Sequence, residues 1–142
     1  MTLAGAATVI DASRGLPIPA GSHALLLEPG SSATFHLRRS AGQHRLTATV
    51  VELSKIDGGT PYGAFDVGVI GGTERATLSW IAGPPPTPTT NSTWPNASQV
   101  TQASAMLPDT GSDVVVRLSP AEACQGNCPP AGALILDDLK LE

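Results

Sequence analysis

The sequence is poor in charged and aromatic residues. Only 14% of its 142 residues are charged, and the net charge of −4 gives no electrostatic basis for binding nucleic acid or an anionic membrane surface. Aromatic residues make up 4%, so a hydrophobic core has to be built mainly from Val, Leu, Ile and Ala. No apolar run approaches the roughly 18 residues of a membrane-spanning helix, so we expect no membrane insertion.

Motifs of the common enzyme classes are also missing. The chain has no H-E-x-x-H, no G-x-S-x-G, no Walker loop and no G-x-G-x-x-G. Its three histidines, His23, His36 and His44, show no i, i+4 spacing. Paired acids for glycoside cleavage are conceivable, but spacing singles out no pair among Glu28, Glu52, Asp57 and Asp66. We therefore expect a protein without catalytic activity.

What the chain has in quantity is turn-forming residues, with 15 Gly and 13 Pro, separating short aliphatic runs. Alternation predicts strands at residues 8–11, 22–28, 34–38, 45–53, 76–81, 114–118 and 133–141, and Phe65, Val67 and Val69 mark a further inward face. In the longest of them, Leu46, Ala48 and Val50 share one face, while Phe35 and Leu37 point inward from an earlier strand. The pattern predicts one all-β domain over 1–142, an antiparallel β-sandwich.

One segment departs from this rhythm. Residues 83–99 begin with three consecutive prolines after Gly83 and contain two N-glycosylation sequons, at Asn91 and Asn96. One interpretation is a poorly ordered surface insertion between strands. The other is a glycosylated loop that carries an accessible Trp94 beside a binding face.

The only two cysteines, Cys124 and Cys128, enclose a short loop. Two thiolates without a nearby His or second Cys pair cannot complete a tetrahedral metal site. A local disulfide across a turn is the preferred interpretation, and two unrelated reduced thiols are the alternative. Together with two sequons inside eight residues, the cysteines indicate an extracellular or cell-surface protein.

Three segments, residues 18–35, 41–48 and 128–141, together resemble galactose-binding-domain-like jelly rolls. The resemblance is closest to secreted plant and bacterial cell-wall-associated domains of poorly defined function. It implies a jelly roll with a carbohydrate-binding role. The closing strand reads Cys128-Pro129-Pro130 where those domains usually have Cys-Gly-Pro, and their opening Asn-Gly-x-Phe-Glu strand has no counterpart before Thr8.

The resemblance also suggests a binding site for a structural calcium ion. In carbohydrate-binding jelly rolls an Asp of the closing strand often serves as a ligand, and Asp137 or Asp138 matches that position. Because Ca²⁺ takes six to eight oxygens, one or two carboxylates do not suffice. The alternative is that these aspartates cap a strand end, and we expect no other cofactor.

Flat aromatic faces and charged groups are the usual sugar contacts. The candidates are Tyr62 in a Gly-rich loop, Trp94 between the sequons, and a basic patch containing Arg38, Arg39 and Arg45 that would suit acidic polysaccharide. Trp80 is in phase with Leu78 and is assigned to the core. A solvated sheet edge is the competing interpretation of the arginines.

The sequence therefore predicts a non-catalytic extracellular binding module, with a cell-wall or surface glycan as partner. The alternative is a structural module that packs against neighbouring proteins in an extracellular matrix or surface filament. A glycan-active enzyme ranks third.

Overall fold

The computed structural model describes residues 1–55, 67–71, 74–78, 87–107, 114–120 and 132–142. Within those ranges no helix is long and apolar enough to cross a membrane. The one helical element there is a 3-10 turn at Ala12–Arg14. The strands are β1 (Thr2–Ala4), β2 (Ala7–Asp11), β3 (His23–Leu27), β4 (Ser32–Leu37), β5 (Arg45–Ser54), β6 (Val67–Gly71), β7 (Glu74–Leu78), β8 (Thr87–Pro88), β9 (Asn96–Ala97), β10 (Thr101–Met106), β11 (Val114–Pro120) and β12 (Ala133–Leu141).

These strands form two antiparallel sheets, which confirms the predicted all-β sandwich. The smaller sheet has the order β1-β4-β11-β6-β7. The larger has the order β2-β3-β12-β5-β9-β8, and β10 pairs with β5 alongside β9. Turn-rich connections and β-branched strands favour such a two-layer packing, because each sheet can bury one apolar face against the other.

Four of the strand pairs are nested in sequence, so that each pair lies between the two strands of the pair before it. β3 pairs with β12, β4 with β11, β5 with β10 and β6 with β7, in every case antiparallel. The members of these pairs alternate between the sheets, since β3 and β5 belong to the larger and β4 and β6 to the smaller. The eight strands thus correspond to one long antiparallel ribbon rolled into two layers.

Between the sheets lies the inter-sheet core, built by alternating residues of both layers. Leu46, Ala48 and Val50 are buried there, as their shared face predicts. Phe35 and Leu37 are half-buried against the same cluster. The remaining buried members are Leu25, Leu27, Ala33, Ala103, Ala105, Leu107, Val116, Leu118, Leu134 and Leu136.

The larger sheet also carries an apolar cluster on its other face, which we call the outer cluster. Its members are Ile10, Leu16, Ala24, Leu26, Val51, Leu53, Trp94, Ala97, Ala133 and Ile135. Leu16 and Trp94 come from segments outside the long strands and cover this face. Within residues 87–99, Trp94 and Asn96–Ser98 are buried, so this part of the segment is ordered and packs on the larger sheet, which corrects the interpretation of a poorly ordered surface insertion.

Between β9 and β10 the regular pairing with β5 is interrupted, and the hydrogen bonds there attach the segment containing Trp94 to the sheet. The Ser98 N–H donates to the Glu52 carbonyl at 2.8 Å, and the Glu52 N–H donates to the Ser98 hydroxyl at 2.9 Å. A side chain thus replaces one main-chain acceptor of the ladder along β5. The interruption lets β9 stay on β5 while the chain turns toward the outer cluster.

We expect Gly15→Ala to destabilise the fold more than Gly21→Ala. Both glycines have left-handed backbone angles, with φ of 69° and 65°, so each alanine carries the same backbone penalty of about 1–2 kcal/mol. A Cβ at Gly15 would also lie 2.3 Å from the Thr90 hydroxyl oxygen, whereas a Cβ at Gly21 meets nothing within 4 Å. Urea unfolding of both variants measures the difference, and equal losses would contradict the close contact between residues 15 and 90.

Candidate functional site

The turn that precedes β9 is organised by the side chain of Asn91. Its Oδ1 accepts from the N–H groups of Thr93 and Trp94 at 3.0 and 2.9 Å. Its Nδ2 donates to the Arg14 carbonyl at 2.8 Å, which joins this turn to the 3-10 turn. Asparagine favours such local side-chain-to-backbone bonds, so the turn follows from the sequence at this position. The result is a rigid connection that presents Trp94 to the sheet.

Trp94 is only 3% exposed, which corrects the expectation that its ring is accessible. Its Nε1 donates to Glu28 Oε1 at 3.3 Å, and Lys55 Nζ lies 5.0 Å from the ring centroid. The ring packs into the outer cluster, and a cation sits over it where a sugar would stack. Trp94 therefore anchors the turn and offers no free aromatic face.

Beside Trp94 lies a small depression, which we call the polar cleft, of about 150 Å³. Ile10, Leu26 and Trp94 supply apolar surface, and the polar lining is Thr8, Arg14, Glu28, Asn91 and Thr93. Arg14 is exposed and Glu28 is half-buried. An apolar floor with convergent polar groups is typical of small-ligand sites.

The position of Arg14 depends on the cap of the 3-10 turn. Asp11 is the N-cap, and its Oδ1 accepts from the Ser13 N–H at 2.9 Å and from the Ser13 hydroxyl. The Ser13 hydroxyl bond, with the N–H bond second, lowers the pKa of Asp11. The cap therefore stays ionised to a lower pH than a free aspartate, and it holds the turn that carries Arg14.

A larger groove of about 600 Å³ adjoins the polar cleft. It shares Leu16 with the cleft, and its other lining residues are Gly15, Pro17, Thr87, Pro88, Thr89, Thr90, Ala97, Ser98, Gln99 and Val100. Every one of these side chains is uncharged. The polar cleft, with an acid and a base, is better able to orient a ligand.

The predicted ligand residues differ in exposure. Arg38 and Arg45 are exposed, whereas Arg39 is 8% exposed and its Nε donates to the Gln43 carbonyl. Arg39 is therefore buried rather than part of an exposed patch, and a patch of Arg38 and Arg45 stays a prediction. Tyr62 and Trp80 lie outside the described residues, as do Cys124 and Cys128, whose disulfide stays a prediction.

The two residues considered for calcium bond to groups of the protein. Asp137 accepts from the Ala20 N–H at 2.9 Å and from the Asp138 N–H at 2.8 Å. Asp138 forms an exposed ion pair with Lys140 at 2.6 Å. No group of three or more His, Cys, Asp or Glu side chains is placed to hold a metal within the part of the chain that the structure describes. The two aspartates lie at the β12 bulge, where Asp138 has a φ of 51°, and calcium binding by them stays a prediction.

One serine and one histidine lie in contact but do not form a catalytic array. The Ser22 hydroxyl is 2.8 Å from Nδ1 of His23, and both residues are exposed sequence neighbours. Asp11 faces His23 across the β2–β3 pair, yet its carboxylate is bonded to Ser13. A catalytic triad needs the acid on one ring nitrogen and the nucleophile on the other.

No family model, curated protein or solved structure matches the chain. The resemblance to galactose-binding-like domains therefore stays a prediction from short motifs.

We expect Trp94→Phe to cost about 2 kcal/mol of unfolding free energy, because it removes the bond to Glu28 and leaves a void in the outer cluster. Glu28→Gln keeps an oxygen acceptor for the indole, so its cost should stay below about 0.5 kcal/mol. Urea unfolding of both variants provides the comparison. A Trp94→Phe protein as stable as the parent would show that the ring does not anchor the turn.

Proposed function

We propose that this protein is a non-catalytic extracellular module that binds a glycan, and that the polar cleft holds one end of the sugar chain. The observation that carries the proposal is the pairing of an apolar floor with Arg14, Glu28 and Asn91 around it. A sugar ring likewise combines apolar C–H faces with polar hydroxyl groups at its edge, so it can contact both parts of the cleft.

The proposed ligand is limited by the size of the cleft. Its 150 Å³ falls below the roughly 300 Å³ at which sites for larger ligands begin. A single ring or a chain end is the largest sugar unit that this volume favours. We therefore expect recognition of a terminal residue rather than of a chain laid along the surface.

The rigidity of the lining also supports a binding role. Ile10 and Leu26 belong to paired strands, and Asn91 makes three hydrogen bonds within its surroundings. A site on such elements loses little conformational entropy when it binds.

The strand order supports the finer fold assignment. Nested antiparallel pairs that alternate between two layers are what a jelly roll requires, and jelly rolls are used by lectin domains. We infer the jelly-roll topology on this basis.

A second candidate function is a structural module that contacts neighbouring proteins. The observation that favours it is an apolar opening between the sheets, lined by Met1, Val9 and Phe35. This opening lies between the two layers, whereas the polar cleft lies on the outer face of the larger sheet.

We expect Arg14→Ala to weaken glycan binding about tenfold, because it removes a charged hydrogen-bond donor from the cleft. Arg38→Ala removes another exposed arginine, directly after β4 and away from the cleft, and should leave binding unchanged. A glycan array followed by calorimetric titration of the best ligand tests both variants. The opposite result would place binding at the arginines near the β4–β5 connection, and binding of no glycan would overturn the proposed function.

The protein expressed in a secreting eukaryotic cell should carry no glycan on Asn96. Asn96 is 7% exposed within β9, where the fold has no room for an attached sugar. Peptide mass spectrometry of the secreted protein locates any modification. A glycan on Asn96 would contradict the packing of β9.

A further inference from the structure

The polar cleft contains one base and one acid, Arg14 and Glu28, that form no ion pair with each other. Arg14 is exposed and bonds to Asn91 through its carbonyl, so its guanidinium remains to donate to a ligand. Glu28 accepts from the Trp94 indole with Oε1, which leaves Oε2 to accept from a ligand. A ligand in the cleft thus meets a charged donor and a charged acceptor at separate points.

The apolar floor beside these groups is small and aliphatic. Ile10 is 2% exposed and Leu26 is 9% exposed, so each presents only a small part of its side chain. Trp94 offers no free aromatic face, because Lys55 lies over its ring. A sugar ring needs a broad flat face for stacking, whereas a methyl group needs contact with only a few carbon atoms. The floor therefore suits a methyl group better than the face of a ring.

The charges of the cleft also restrict the ligand. The cleft volume of about 150 Å³ places any ligand close to both Arg14 and Glu28. A sugar carboxylate would be attracted by the arginine and repelled by the glutamate, and a free amine would meet the reverse. A neutral group with one acceptor and one donor can bond to both side chains without a net charge of its own.

We infer that the polar cleft recognises an N-acetylated amino sugar at the end of a glycan. The acetamido group of such a sugar has a carbonyl acceptor, an N–H donor and a methyl group. The carbonyl accepts from the Arg14 guanidinium, and the N–H donates to Oε2 of Glu28. The methyl group contacts Ile10 and Leu26. This specificity rests on the proposed function, since it names the class of sugar for the same site.

The other polar groups of the cleft suit the ring of the sugar. Thr8 and Thr93 are exposed, and their hydroxyls can both donate and accept. Ring hydroxyls occur on every sugar, so these contacts do not discriminate. A hydroxyl in place of the acetamido group has its donor and acceptor on one atom, so it reaches only one of Arg14 and Glu28. The site therefore rejects sugars that lack the acetamido group.

The first test compares ligands that differ at one position. The full chain is titrated with the methyl glycosides of N-acetylglucosamine and N-acetylgalactosamine, and with those of glucose and galactose, which carry a hydroxyl at carbon 2. We expect the acetylated sugars to bind at least about tenfold more tightly. The N-formyl derivative of glucosamine keeps the carbonyl and the N–H but lacks the methyl group, so its affinity should lie between the two. Saturation-transfer NMR should show the largest transfer at the acetyl methyl protons.

The second test changes the acceptor in the cleft. Glu28→Gln keeps an oxygen for the Trp94 indole but replaces Oε2 with an NH₂ group, which cannot accept from the acetamido N–H. We expect this variant to bind the acetylated sugars about tenfold more weakly. The matched control is Glu142→Gln, which makes the same change at an exposed carboxylate outside the cleft and should bind as the parent does.

Equal affinity for the acetylated sugars and their hydroxyl counterparts would contradict the assigned specificity. Saturation concentrated on ring protons, or unchanged binding by Glu28→Gln, would contradict it as well. The ligand comparison needs no variant, so it decides the question even if Glu28→Gln does not fold. If a glycan without acetamido groups binds and Arg14→Ala weakens that binding, the proposed function stands and the specificity fails. Binding of no glycan removes both.

Discussion

The pairing of β5 with β12 at the centre of the larger sheet imposes the main constraint on this molecule. Both strands carry apolar residues on their two faces, with Val50 and Leu136 on one and Val51 and Ile135 on the other. The smaller sheet can cover only the first face. The second face needs its own cover, and the chain supplies it from the short segments around Leu16 and Trp94. The outer cluster, the Asn91 turn and the polar cleft all follow from that requirement.

Sequence periodicity predicted the strands well where one face is buried and the other exposed. The segment around β4 is such a case. Phe35 and Leu37 were expected to point inward and His36 and Arg38 outward, and all four side chains lie as expected. It did not predict the burial of Trp94 and Asn96–Ser98, because the Pro, Thr and Ser content around them is typical of an exposed loop. Burial of Trp94 depends on a turn that Asn91 closes and on contact with residues 14–15, about 75 positions away in the chain. Arg39 was also expected on the surface but is 8% exposed, and its Nε donates to the Gln43 carbonyl four residues later.

The central place of β12 also bears on how the chain folds. β12 lies between β3 and β5, which have no contact with each other in the sheet order. Until residues 133–141 have left the ribosome, the larger sheet consists of two separate parts, and the nested pairs leave most ladders to join residues far apart in sequence. Such topologies fold slowly, because loop closure precedes the gain from strand contacts. The larger sheet therefore becomes continuous only after β12 has been synthesised, and the strands without partners are prone to aggregation until then.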